Sequence, residues 1–171
     1  REKVIELFSS YDRCLVKKGR EDIWGYGNCT INILNADSTL KEVFFLMDSG
    51  DYMTEESKAE YGVTDTDEVY DGVKTSQVQW YREKHDAIEK EYGKFKSVAV
   101  VHIPVYQAEK EYKEGDFLYG EKREGVCESG FDSGLFDAMK EKGSAQAVYF
   151  GHDHVNNFGV MCDGILLSYI Q

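Results

Sequence analysis

No stretch of this sequence approaches the roughly 20 consecutive apolar residues that a membrane-crossing helix needs, so no membrane partner is expected. No Cys-x-x-Cys pair occurs among Cys14, Cys29, Cys127 and Cys162, which excludes a zinc knuckle. Buried free thiols are the expected state, ahead of one or two disulfides in an exported protein. Basic residues are outnumbered by acidic ones, 20 to 32, for a formal net charge of −12. So acidic a surface repels phosphate backbones, and no nucleic-acid partner is expected. A phosphorylated substrate stays open, because bound divalent metals reverse the local field. There is no G-x-x-x-x-G-K-[ST], no G-x-S-x-G and no Cys-His pairing at a catalytic spacing. No repeat or low-complexity tract appears, and Pro104 is the single proline. No secretory leader is visible, but the chain opens on Arg1 rather than Met, as after removal of a leader or of a preceding segment. A soluble protein, cytoplasmic or exported, is expected.

What is present is enough for a packed core. The chain has 171 residues, 42% hydrophobic and 13% aromatic, which fits one domain or a large part of one. Arg1 to Ser9 reads as a short helix. Tyr26 to Leu34 and Glu42 to Met47 read as strands, the second ending in Asp48-Ser49-Gly50-Asp51. Tyr52 to Gly72 is acidic and turn-rich and reads as a surface loop. Thr75 or Ser76 caps a helix running to about Tyr92, with Val78, Tyr81, His85 and Ile88 on one side. Lys96 to His102 is an apolar strand of the kind buried on both faces. Tyr106 to Ser129 is a charged excursion. A helix at Leu135 to Lys142 follows, then strands at Ala145 to Phe150, Gly159 to Cys162 and Gly164 to Tyr169. This alternation predicts a mixed α/β layered fold.

The chemistry concentrates at two strand ends. His102 closes one strand, where α/β folds place ligands. Alone it reads equally as a core histidine bonded to a backbone carbonyl. Gly151-His152-Asp153-His154 follows another strand. Residues two apart share a side of an extended segment, so both imidazoles can turn to one point, and that point is typically a metal. The glycine before them permits a turn or a close backbone approach. Asp153 points the other way, toward a ligand's outer side or toward solvent. Asn156 and Asn157 either orient a ligand or form the turn. His85 belongs to the amphipathic face of its helix. Asp48 and Asp51 read as turn formers rather than ligands. Gly50-Asp51 and Gly27-Asn28 look like pieces of metal motifs but lack the residues that would complete them.

These residues resemble a family. Val101-His102-Ile103-Pro104, a charged excursion, then Phe150-Gly151-His152-Asp153-His154-Val155-Asn156-Asn157-Phe158 is similar to the last two motifs of the calcineurin-like metallophosphoesterases, in their purple-acid-phosphatase-like branch. Leu46-Met47-Asp48-Ser49 resembles that branch's L-D-S strand end, Lys74 to Trp80 its Q-x-x-W helix start, and Ser133-Gly134-Leu135-Phe136 the segment before its last motif. The resemblance spans about Tyr26 to Tyr169. It implies the C-terminal part of a four-layer α-β-β-α sandwich with mixed sheets, residues 1–171 forming a single partial domain. The family's first three motifs, D-x-H, G-D-x-x-D and G-N-H-[DE], do not occur in these residues.

By this resemblance, His102 and His152 would bind one metal and His154 the other, with Asp153, Asn156 and Asn157 as outer or substrate-side candidates. The cofactors would be two divalent or Fe/Zn/Mn-type ions. The implied activity is phosphohydrolase chemistry in which a metal-bound hydroxide attacks a phosphate ester of a small molecule or a protein. Beyond metal ligands no catalytic residue is expected here, so the isolated chain is expected to be nearly inactive. It is also expected to self-associate or to contact an N-terminal half. The alternative is a non-enzymatic α/β binding module with one three-histidine metal site. A nuclease of the same superfamily is disfavoured by the acidic charge.

Overall fold

Seven strands form one mixed sheet among the described residues, which are residues 2–170 of a computed structural model; Arg1, the first residue of the expected N-terminal helix, and Gln171 lie outside them. The strands are β1 (Cys29–Leu34), β2 (Leu40–Leu46), β3 (Ser97–Val100), β4 (Asp116–Tyr119), β5 (Ala145–Phe150), β6 (Gly159–Cys162) and β7 (Ile165–Tyr169), in the order β1-β2-β3-β5-β7-β6-β4. The four central strands, β2, β3, β5 and β7, pair in parallel, and β1, β6 and β4 flank them antiparallel. The chain is therefore α/β with a mixed sheet, as the alternation of elements implies.

Side-chain alternation divides the sheet into two unequal faces. On one face Val43, Phe45, Val148, Phe150 and Leu167 are fully buried. They lie under α3 (Thr75–Tyr92) and α5 (Leu135–Lys142). Phe45 meets Tyr81 at 4.7 Å and Trp80 at 6.1 Å between ring centroids. Val78, Tyr81, His85 and Ile88 of α3 are all buried, as their helical spacing predicts. On the other face Phe44, Leu46, Val100, Tyr149 and Leu166 are half-buried. There α1 (Glu2–Ser9) leaves an open apolar cleft of about 580 Å³ between Val4, Ile5, Val16, Leu46 and Val100.

Three segments differ from the sequence reading. The expected surface loop at 52–72 contains α2 (Glu55–Tyr61) and buries Met53, Lys58 and Asp71. This helix carries no apolar stripe. It is made by its ends: the Thr54 hydroxyl accepts from Ser57 N at 3.2 Å, and Gly62 closes it with φ of 68°. The charged excursion contains α4 (Ala108–Glu114) and places β4 on the sheet edge against β6. Finally, α3 is capped from Lys74, whose N–H donates to Gln77 Oε1 at 2.7 Å, rather than from Thr75 or Ser76. The four cysteines are unbridged, but only Cys162 is buried; Cys14, Cys29 and Cys127 are half-buried, and none of these three belongs to the main apolar core.

Candidate metal centre

Parallel strands deliver their carboxyl ends to one side of a sheet, and ligands collect there. β2 leads into Asp48-Ser49, β3 into His102 and β5 into Gly151-His152. Hydrogen bonds from one side chain and the backbone lock the three ends together. Ser49 Oγ accepts from His102 N at 3.1 Å and from Ile103 N at 2.9 Å, and Gly151 N donates to His102 O at 3.1 Å. Asp48 acts as a turn former: its carboxylate accepts from Gly50 N at 3.0 Å and Tyr26 N at 2.9 Å. Behind it, the fully buried Gln77 donates to both Asn28 Oδ1 and Asp48 O at 2.7 Å. The Q-x-x-W start of α3 is thus a brace for the strand end that supports His102.

His102 Nε2 lies 3.3 Å from His152 Nδ1, with the rings near perpendicular at 84°. Two nitrogens each about 2.0–2.1 Å from one tetrahedral metal stand roughly 3.3–3.4 Å apart, so this pair fits two positions of one coordination sphere. Partial burial pushes the His152 pKa below its ordinary value; neighbouring His102 and His154 push the same way, against Asp153 and Asp51. A neutral imidazole is the form that binds metal. His154 is exposed, and among the described residues neither it nor His102 belongs to a group of three ligand atoms within 4.8 Å of one another.

The local backbone departs from the sequence expectation in an informative way. The freedom assigned to Gly151 is exercised by His152, which sits in the left-handed region with φ of 74°. A Cβ on Gly151 would meet only His102 Nδ1, at an ordinary 3.7 Å. Few non-glycine residues adopt this conformation, and they cluster where surrounding structure enforces it.

Asp153 and Asn156 of the motif face inward. Asp153 is buried and accepts from Cys127 N, at 3.1 Å to Oδ2, and from the Tyr169 hydroxyl. Asn156 is fully buried: its Oδ1 accepts from Arg123 N at 2.8 Å and Glu124 N at 3.0 Å. The exposed Asn157 accepts from Glu121 N at 2.7 Å, and Glu124 accepts from Val155 N at 2.8 Å. The Asp153, Asn156 and Asn157 side chains thus clasp the returning excursion, 121–127, along the histidine turn, and Glu124 answers from the excursion.

Two residues at the centre have no signal in the sequence. Cys127 joins His152 and Asp153 in a group whose ligand atoms lie within 4.8 Å of one another. Burial first, then the Asp153 carboxylate, pushes its thiol up to about 11, so it stands protonated at neutral pH. Tyr70 packs edge-on against His152 at 4.3 Å and stacks on Tyr52 at 4.9 Å. Both arrive through long-range folding, Cys127 by the excursion's return and Tyr70 by its bridge to Tyr52.

No protein-family model matches the chain. Its sequence is nevertheless related to the purple-acid-phosphatase-like branch of the metallophosphoesterases, over the C-terminal part of those proteins. In particular, it is 27% identical over 187 residues to the probable inactive purple acid phosphatase 14 of Arabidopsis thaliana, covering 99% of this chain and 44% of that protein. It is 30% identical over 158 residues to the probable inactive purple acid phosphatase 29, covering 85% of this chain and 38% of that protein. It is 28% identical over 153 residues to the probable inactive purple acid phosphatase 28, covering 85% and 36%. The last two are also from Arabidopsis thaliana. The chain therefore spans about two fifths of the length of the relatives it matches. No helix among the described residues is long and apolar enough to cross a membrane.

Proposed function

We propose that this chain carries the histidine wall of a binuclear metallophosphoesterase site, completed in the parent protein by ligands from an N-terminal half. The observation that carries the reading is the 3.3 Å approach of His102 Nε2 to His152 Nδ1 at adjoining strand ends. Bound metals would supply Lewis acidity toward a phosphoryl oxygen and a lowered pKa for water. The chain's own part is positional. Ser49 and the Gly151 N–H fix the backbone that presents His102, while the Asp153, Asn156 and Asn157 clasp fixes the turn that presents His152 and His154. Tyr70 and Tyr52 form an aromatic wall beside His152, suited to the organic portion of a phosphate ester. The substrate class is a phosphorylated small molecule or protein.

The half-buried face of the sheet supports the same reading. Phe44, Leu46, Val100 and Tyr149 are only half-buried there, Leu46 and Val100 line the cleft beside α1, and Leu7 and Phe8 of α1 are themselves exposed. This face is proposed to pack against the N-terminal half, or against a second copy when that half is absent.

The experiment is hydrolysis of an aryl phosphate with Mn2+, or with Fe and Zn, added. The isolated chain should give essentially no turnover, and the full-length parent should lose its turnover on His102→Ala. Robust turnover by this chain alone contradicts the half-site. A second reading, metal or phosphate binding without catalysis, is favoured by the names of the relatives, all called probable inactive. It predicts that the full-length parent binds metal through His102 and His152 yet leaves the aryl phosphate intact.

A further inference from the structure

The opposite end of the parallel strands holds a second group of metal-type ligands. β3 and β5 begin at Ser97 and Ala145. A cavity of about 210 Å³ lies by these starts, lined by His85, Glu89, Lys94, Phe95, Lys142 and Ser144 among others. β5 is six residues long, so at about 3.3 Å per residue this cavity is roughly 20 Å from the His102–His152 end.

His85 is 1% exposed, and its Nδ1 is buried without a hydrogen-bond partner. An unpaired polar atom at such depth is costly and rare, and it calls for a ligand. Its nearest charged neighbour is Asp86, whose Oδ1 lies 3.5 Å away, beyond good hydrogen-bond length. One turn on, Glu89 rises beside them. His85, Asp86 and Glu89 each present a ligand atom, all within 4.8 Å of one another. The imidazole is fixed by its packing against Phe95, at 4.8 Å between ring centroids. Asp86 is exposed, and its carboxylate already faces Lys142 of α5.

We infer that His85, Asp86 and Glu89 form a divalent transition-metal site distinct from the His102–His152 pair. One imidazole with two carboxylates suits borderline ions such as Zn2+ or Co2+, at about 2.0–2.2 Å from each ligand atom. The occupant gives the orphaned Nδ1 its partner. It also joins consecutive turns of α3 at the point where that helix meets α5. Lys142 of α5 competes for the same carboxylate, with Nζ 2.6 Å from Asp86 Oδ1. A carboxylate has two oxygens, so Asp86 can hold both cations, but the ammonium lowers the site's affinity. This competitor gives the site a signature that a plain ion pair lacks. Replacing Lys142 strengthens a metal site at Asp86, whereas it leaves a salt bridge merely broken.

The chain has four histidines, so His102→Ala/His152→Ala/His154→Ala leaves His85 as its single imidazole. Zn2+ is titrated into this variant while the His85 side-chain nitrogens are followed by NMR. A saturable shift at Nδ1 with one equivalent is expected. Asp86→Asn and Glu89→Gln, both surface changes that spare the core, should each weaken binding about tenfold or more in that background. Lys142→Met should tighten it several-fold. An unmoved His85 signal overturns the site. So does Zn2+ affinity that is unchanged in both carboxylate variants or that falls in Lys142→Met.

Discussion

His102 Nε2 and His152 Nδ1 meet at 3.3 Å although 50 residues separate them. Their rings reach that contact on different backbone terms. His102 lies two residues past the end of parallel strand β3 and is pinned by Ser49 Oγ, whereas His152 turns through the left-handed region just after its own strand. Positive φ at a histidine costs free energy that the surrounding structure must offset. The contact is therefore assembled by the fold.

The first prediction follows from that backbone. Alanine and glycine both delete the His152 ring, but only glycine occupies φ of 74° without strain. His152→Ala should be less stable than His152→Gly by about 1 kcal/mol in denaturant unfolding. Equal stability, or a more stable alanine variant, would show that the turn is not left-handed in solution.

Gln77 tests the brace behind the site. Gln77→Ala removes the acceptor for Lys74 N and the donor to Asn28 and Asp48 O, all in a buried setting. A loss of about 2–4 kcal/mol is expected, with weakened metal binding because the Ser49 turn loosens. Gln79 on the same helix is exposed and bonds only Glu83, at 3.3 Å. Gln79→Ala should change stability by less than about 0.5 kcal/mol. Similar losses in the two variants would contradict the assigned role of Gln77.

Glu128 gives a pH dependence. Burial, the leading cause, pushes its carboxyl up to about 7 from an ordinary 4.5. The folded state thus holds the proton more tightly than the unfolded chain. Its stabilising contribution is complete below about pH 4.5, declines as pH rises, and is gone above about pH 7. Since the group is only partly buried, the screened effect is on the order of 1 kcal/mol. Glu128→Gln keeps an oxygen for Glu109 N and removes the titration. Relative to wild type it should gain stability between pH 4.5 and pH 7. A wild-type minus variant difference flat across that window would refute the shift.

The half-buried sheet face carries the fourth prediction. Leu7 and Phe8 are 59% and 54% exposed beside the open cleft. The isolated chain should self-associate in sedimentation at micromolar concentration, and Leu7→Ser/Phe8→Ser should weaken that association. A monodisperse wild-type monomer would count against an interface on this face.

Much of this was legible in the sequence, for identifiable reasons. The limits of α5 and β5, Leu135–Lys142 and Ala145–Phe150, coincide with those read from the pattern, because strong apolar periodicity meets a glycine at each helix end. The strand-end positions of His102 and His152 followed in the same way. α2 was hidden because its residues show no apolar face and its formation rests on Thr54 and Gly62. The pattern marks Gly151 as the residue that permits a turn, whereas the left-handed conformation falls on His152, bracketed by the bond from Asp153 N to Gly151 O at 3.0 Å, which leaves no mark in residue type. Cys127 and Tyr70 carry no local sign of their place, since only the folded excursion and the Tyr52 bridge bring them in.

The most direct test of the central claim is a Zn2+ titration of the intact chain, read at the imidazole nitrogens of each histidine by NMR. His102 Nε2 and His152 Nδ1 should shift together at the same Zn2+ concentration, with weak affinity, while His154 does not share that coordination sphere. The claim is contradicted if His102 and His152 stay unmoved. It is equally contradicted if all three histidines join one tight site, as a self-sufficient binding module would require.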